Sequence, residues 1–210
     1  MTTVAKQQEK TNSLRSRLLS HLKAGRKAPV LRRAYERAKG VLTRMKRDEA
    51  AGYPKGLPSK YRYHWRKPWT LRARKSKDFA AWLNRRGYLT PHFRKEEAAC
   101  KDGTFVPVRL IPNARKHAFN LERLRHRLGD KPVQIISWYR TPDYNKRVGG
   151  ASLSQHVNAL ATDHPVQWVR RFKDFDRHAR IVFRVGGFGT YPAGNRHLDS
   201  RGWFARWSSY

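Results

Sequence analysis

The chain has 210 residues and a formal net charge of +32, from 47 basic against 15 acidic residues, with a single cysteine, Cys100. One cysteine excludes a disulfide framework and a multi-thiolate metal site, and no apolar run approaches the ~20 residues that span a bilayer. A charge of this size implies an anionic partner, such as nucleic acid, a wall polymer or a membrane surface, without choosing between them.

The amino terminus, MTTVAKQQEKTNSLRSR, has no apolar core of the kind a secretory signal needs. The expectation is a protein that starts in a cytoplasm. Residues 1 to 75 hold 22 basic and 4 acidic side chains, the densest excess in the chain. Leu14, Leu18 and Leu22, then Leu31, Ala34, Tyr35, Ala38 and Leu42, recur at helical spacing, with a break at Gly25 and Pro29. So narrow an apolar stripe predicts helices that fold poorly alone and either dock on a partner, stay disordered, wrap nucleic acid or lie on a membrane. The next stretch, GYPKGLPSKYRYHWRKPWTLRAR from Gly52 to Arg74, carries three prolines among its rings and cations. It reads as an extended segment whose rings either pack on the following domain or stack on bases or sugars. Residues 1–75 are thus a basic extension, and 76–210 a second domain.

In that domain, Asp78–Leu83 makes a short helix stopped by Gly87, and Lys101–Thr104 a turn. A longer helix begins near Asn113, with Ala114, Ala118, Leu121, Leu124 and Leu128 on one face and Gly129 ending it. An apolar strand, Val133–Trp138, delivers Arg140 at its end. After the Gly149-Gly150 loop comes a strand around Ala159–Thr162, then a helix from Val166 to about Arg180 and a strand at Ile181–Phe183. Gly186–Gly189 forms a tight connection into the last strand, which carries His197. Two helices packed on a small, largely antiparallel sheet give an α+β domain.

His156, Asp163 and His197 form a set of two imidazoles and a carboxylate that suits zinc in a site with one open position. The residues around them resemble a known family. Ser154-x-His156-x-x-Ala159-x-Ala161-x-Asp163 is similar to the S-x-H-x-x-G-x-A-x-D signature of zinc D-Ala-D-Ala carboxypeptidases and their relatives, the L-alanyl-D-glutamate peptidases. In the same order, Trp138–Pro142 resembles the family's G-Y-R-S/T-P segment and Val148–Ala151 its V-G-G-A loop. Gly187–Pro192 with His197-Leu198-Asp199 resembles its G-x-G-x-Y-P and H-V-D ending.

The resemblance implies a zinc peptidase of peptidoglycan stem peptides, with Zn2+ held by His156, Asp163 and His197 where three strands converge. It implies that Arg140 polarises the substrate carbonyl, a role its fixed, forked charge suits. Ser154 and Tyr139 would contact substrate. Relatives carry an acid or a histidine three residues before the last ligand, where this chain has Gly194. Asp199 is then the base or an outer partner of a ligand, with His164 and His178 as other candidates. The last segment also looks like phage-encoded members. That implies a virion protein, of the tail, or an endolysin released from the host cytoplasm, with peptidoglycan, anionic wall polymer and other virion proteins as partners. A structural virion protein binding nucleic acid through residues 1–75 is the alternative.

Overall fold

The computed structural model describes residues 3–24, 28–50, 52–54 and 57–208, so the expected break at Gly25 lies outside the described residues. The chain divides into two compact units, up to Arg62 and from Tyr63. In the first, α1 (Thr3–Lys23) and α2 (Pro29–Ala50) pair through Leu18, Ala38 and Leu42, all buried. Pro29 opens α2 at the first helical position, where a missing N–H costs nothing. Gln7 Nε2 donates to the Ala38 carbonyl at 3.2 Å, tying the two helices together. The expected amphipathic helices are therefore present, and each covers part of the other's apolar stripe, Leu22 staying exposed. No helix of the described residues is long and apolar enough to cross a membrane.

The second unit begins within α3 (Arg62–Arg66) and continues with α4 (Leu71–Lys75) and α5 (Lys77–Asn84). The stretch expected to be extended is thus partly helical. Thr70 and Ser76 supply the caps, accepting from the Ala73 and Phe79 amides. Its rings pack within the unit: Trp65 meets Trp82, Tyr88 and His92, and Trp69 stacks on His126 at 3.7 Å. A two-stranded hairpin follows, β1 (Tyr88–Thr90) with β2 (Phe93–Arg94).

Helix α6 (Ile111–Arg127) is the central buried element, with Ala114, Ala118, Leu121 and Leu124 fully covered. Gly129, at φ +76°, ends it by letting the Asp130 amide return to the Arg125 carbonyl. Then come α7 (Pro142–Arg147), β3 (Ala161–His164), α8 (Val166–Val169), α9 (Phe175–Val182), β4 (Gly187–Thr190), β5 (Arg196–Asp199) and β6 (Ala205–Ser208). The sheet order is β3-β5-β4-β6, antiparallel except for the β4/β6 pair. The α+β architecture expected from the sequence is present.

Several boundaries differ from expectation. Val133–Trp138 is no strand: only Ser137 bridges to Asp163, and Gln134 and Ile136 on this run are exposed. One apolar run without a second ladder partner remains an extended loop. The single helix expected from Val166 to Arg180 is two. The chain turns between them, with Asp174 at φ +57°, so that Trp168 meets Phe172 at 5.1 Å and Phe175 at 5.3 Å. Asp is one of the few residues that tolerates this backbone. Ile181–Phe183 is the end of α9, not a strand; Ala179, Val182 and Phe183 are buried at helical spacing.

Gly186–Gly189 was expected to be a connection, yet Gly187–Thr190 is a strand inside the sheet. Its glycines answer to crowding. A Cβ at Gly187 would collide with the Asp199 carboxylate, and one at Gly189 with the Trp207 indole. Strand β6, which brings Trp207, follows the strand expected to be last. Gly189→Ala is expected to cost about 1–3 kcal/mol of stability through overpacking, read as a lower denaturation midpoint. A variant as stable as wild type would contradict this close approach.

Candidate metal centre

The site is built on the pairing of β3 with β5. In that register Asp163 lies directly opposite His197, and facing residues of an antiparallel pair have Cβ atoms ~4.5–5.5 Å apart. His156 arrives from the turn before β3, where Ala159 adopts φ +55°. The three side chains are nearly inaccessible, at 1%, 5% and 4% exposure for His156, Asp163 and His197. His156 Nε2 stands 3.2 Å from Asp163 Oδ1 and 3.2 Å from His197 Nδ1, and His197 Nδ1 is 3.0 Å from Asp163 Oδ1. Sequence placed the cluster where three strands converge; two strands and a turn supply it.

Outer partners decide which ring nitrogens carry protons. His156 Nδ1 donates to the Trp138 carbonyl at 2.5 Å, which leaves Nε2 as a bare lone pair facing the cluster. His197 Nε2 donates to Asp199 Oδ2 at 3.1 Å, which turns Nδ1 inward. Two lone pairs and a carboxylate oxygen converging without a donor repel one another, so the arrangement calls for a cation or a proton. Ligands held at ~2.0–2.1 Å around a tetrahedral zinc stand roughly 3.3 Å apart, close to the triangle observed. The donor set, its spacing and the carboxylate and carbonyl behind each ring all fit zinc.

Protonation follows the same contacts. Burial pushes His156 below its usual value, against the pull of Asp163. Burial also opposes charge on His197, but hydrogen bonds to Asp163 and Asp199 outweigh it and raise that ring's pKa. Burial disfavours the Asp163 anion too, yet the neighbouring His156 and His197 rings hold it well below the carboxylate range.

Arg140 lies beside this centre. Its Nη2 donates to Asp163 Oδ2 at 2.5 Å and its Nε to Ser137 Oγ at 3.0 Å, so the guanidinium is held on two sides. Asp199 is fully buried behind His197. It accepts from the Gly187 amide at 3.0 Å, the Arg201 amide at 3.1 Å and the Arg201 guanidinium at 2.7–3.0 Å. With those lone pairs occupied it stays ionised at neutral pH despite burial, and its place is that of an outer partner. Ser154 sits on the rim and its Oγ accepts from the His156 amide at 3.3 Å.

Tyr139 does not reach the site. It is 5% exposed within the hydrophobic core, because the segment after Trp138 turns both rings inward. His164 is also buried, on hydrogen bonds to the Gln134 carbonyl at 2.7 Å and Thr162 at 2.8 Å, and burial lowers its pKa to about 4. His178 lies on α9 and pairs with Arg127 Nε at 3.3 Å.

Three cleft residues went unassigned from sequence: Tyr191, Arg201 and Trp207. Tyr191 Oη is 3.4 Å from both Asp163 Oδ1 and His197 Nδ1, and burial followed by the Asp163 charge pushes its phenol pKa up. The Trp207 ring packs 5.0 Å from His197. The tyrosine stands inside a motif already singled out, and Arg201 alternates to the same face as Asp199 and His197. Trp207 had no signal, because the strand carrying it was not foreseen. Together these groups line a cleft of about 620 Å³, with the Gly149-Gly150 loop, Val148 and Leu153 on its rim.

The comparisons with known proteins agree with this geometry. The family model described as Peptidase M15 matches residues 88–199. The chain is 30% identical over 129 residues to the peptidoglycan L,D-endopeptidase MepK of Escherichia coli K12, covering 58% of this chain and 68% of MepK; the Shigella flexneri MepK matches equally. It is 39% identical over 51 residues to the zinc D-Ala-D-Ala carboxypeptidase of Streptomyces albus G, 24% of this chain and 20% of that protein. The donor set is one that could hold a metal ion. The chain belongs to the Peptidase M15 family.

A divalent ion entering this centre must displace the His197 proton. Below that ring's raised pKa, apparent Zn2+ affinity is therefore expected to rise about tenfold per pH unit, and to level off above it. Calorimetric titration across pH 5–9 checks this, and a flat profile would contradict the proton assignment.

Proposed function

We propose that this chain is a zinc-dependent peptidase that cuts the stem peptides of bacterial peptidoglycan at a bond next to a D-amino acid. The observation that carries the reading is the convergence of two inward-facing imidazole nitrogens and a carboxylate in a cleft beside an arginine. The similarity to MepK extends further than that to the carboxypeptidase, which favours cleavage within the stem over removal of a terminal residue.

His156, Asp163 and His197 would hold the ion. The chemistry zinc supplies when held there is Lewis acidity and hydroxide available at neutral pH. Arg140 keeps Asp163 in place through Nη2 and presents the rest of its fork to the cleft, where it stabilises negative charge developing on the substrate carbonyl oxygen. Tyr191, protonated at neutral pH, donates from its hydroxyl at the mouth of the centre. Asp199 fixes His197 and Ser154 steadies the His156 turn. Trp207 and the rim of Val148 and Leu153 exclude water from one side of the bound peptide.

The reading includes a phage-encoded enzyme, acting from the virion tail or as an endolysin at lysis. The resemblance of residues 189–202 to phage members supports it, and the basic extension suits anchoring in a particle or attraction to anionic wall polymers. A second reading has one specific observation behind it. Among the described residues lining the cleft, Asp163 is the only carboxylate. Gly194, where relatives carry an acid or histidine, stands at φ +81° against Val166. A catalytically weak structural virion protein that binds nucleic acid through residues 1–75 would have this cleft.

Digestion of purified peptidoglycan separates the two. Wild type is expected to release fragments bearing a new D-residue terminus, with activity abolished by a chelator and by His156→Ala. Arg140→Ala is expected to lower kcat by ~10²–10³-fold and Tyr191→Phe by ~10²-fold or more. Equal release in wild type, chelated enzyme and His156→Ala would overturn the peptidase.

A further inference from the structure

Apart from the catalytic cleft, the second unit carries a concavity of about 890 Å³ between α6 and α9, lined by Arg123, Asp176, Arg177, Arg180, Ile181 and Arg184. Its composition follows from two helical rows. Arg123 and Arg127 are four residues apart on α6. Arg177 and Arg180 stand three apart on α9, and Arg184 lies just beyond that helix's end. Spacings of three and four residues place side chains on one helix face.

Arg74 adds to the same field. Partial burial lowers the Arg123 guanidinium pKa, and the charges of Arg74, Arg127 and Arg184 lower it further. The single carboxylate of the lining offers no relief, since both Asp176 oxygens are taken by Arg196 at 2.9 and 3.1 Å. Among the described residues, none of these six arginines pairs with a carboxylate. The nearest neutral contacts are Asn120 for Arg123, His178 for Arg127 and the Phe188 ring under Arg180.

Four arginines line the hollow and the charges of Arg74 and Arg127 act on it from nearby; these like charges repel each other, an arrangement that a bound polyanion reverses. Arginine rather than lysine favours a phosphate oxygen pair, which its planar fork meets with two hydrogen bonds. The lining carries no aromatic ring on which a base would stack. It is also a hollow, whereas reading a duplex calls for an element that projects into a groove.

We propose that the α6–α9 concavity binds a base-free phosphodiester chain of the bacterial wall, a polyol phosphate, and so holds the enzyme on its substrate. The proposal rests on the peptidoglycan reading for the location of that polymer. Phosphates dock along the Arg177, Arg180, Arg184 row, with Arg123 on the opposite wall.

The test uses the full chain and labelled poly(glycerol phosphate), with single-stranded and duplex DNA of matched charge as competitors, by fluorescence anisotropy at several salt concentrations. The variants are Arg177→Gln/Arg180→Gln/Arg184→Gln and, should the triple fail to fold, Arg123→Gln/Arg177→Gln. Wild type is expected to bind the polyol phosphate more tightly than either DNA. The triple variant is expected to lose at least tenfold in affinity. Its slope of log affinity against log salt should fall by about two, at ~0.7 per lost phosphate contact. It should also hydrolyse soluble stem peptides at the wild-type rate while acting more slowly on phosphate-bearing walls. Unchanged binding in the folded variants would overturn the site, and tighter binding of either DNA would overturn the polymer. Hydrolysis failing in every sample while binding behaves as stated would count against the peptidase reading alone.

Discussion

Two ring protons, each drawn outward, are the constraint on which this structure depends. The Trp138 carbonyl holds one on His156 Nδ1 and the Asp199 carboxylate holds the other on His197 Nε2. Their inward nitrogens then face Asp163 as acceptors, and the three groups repel unless a proton on His197 or a metal ion stands among them. Arg140 and Arg201 neutralise the two carboxylates from outside the triangle. A buried carboxylate is costly unless its oxygens are satisfied, and here the same contacts that meet that cost also aim the ligands.

The sheet supplies the rigidity. A one-residue slip between β3 and β5 would turn Asp163 and His197 to the other face, so the register needs an anchor. It has one on the reverse face, where His117 of α6 bridges Thr162 and Ser200 at 2.9 and 2.8 Å. Those residues adjoin Asp163 and Asp199, and alternate with them through the sheet. Burial, followed by the nearby His164, keeps His117 neutral, suiting a group that donates from one nitrogen and accepts at the other. The polar back and the acidic front of the sheet are thus one construction, in which helix α6 fixes both ligand strands.

Much of this was legible in the order of residues. His156, Asp163, His197 and Arg140 announce themselves through side-chain chemistry that little else requires, and the helices of the leader and of α6 through apolar spacing. What could not be read depends on partners distant in the chain. Val133–Trp138 has the composition of a strand but lacks a second ladder to join. Gly187 and Gly189 look like a turn until Asp199 and Trp207 are seen to occupy the space their side chains would need. Tyr139 differs from Arg140 by one position, and only tertiary packing sends one into the core and the other to the cleft. Asp199 offered two roles from sequence; the hydrogen bonds that fill its oxygens distinguish them.

The basic character of the chain spreads well beyond the leader, and the α6–α9 hollow shows that some of it is organised in space. The proposed catalysis and the proposed polymer attachment draw on separate groups, since Arg140 and Arg201 pair with carboxylates while the arginines of the hollow do not. The central claim concerns the triangle alone. It is tested most directly by elemental analysis of zinc in the purified protein beside His197→Ala. One zinc per wild-type chain, and none retained by the variant after dialysis, is the result predicted. Wild-type protein that holds no zinc after incubation with excess Zn2+ at pH 8 would contradict it.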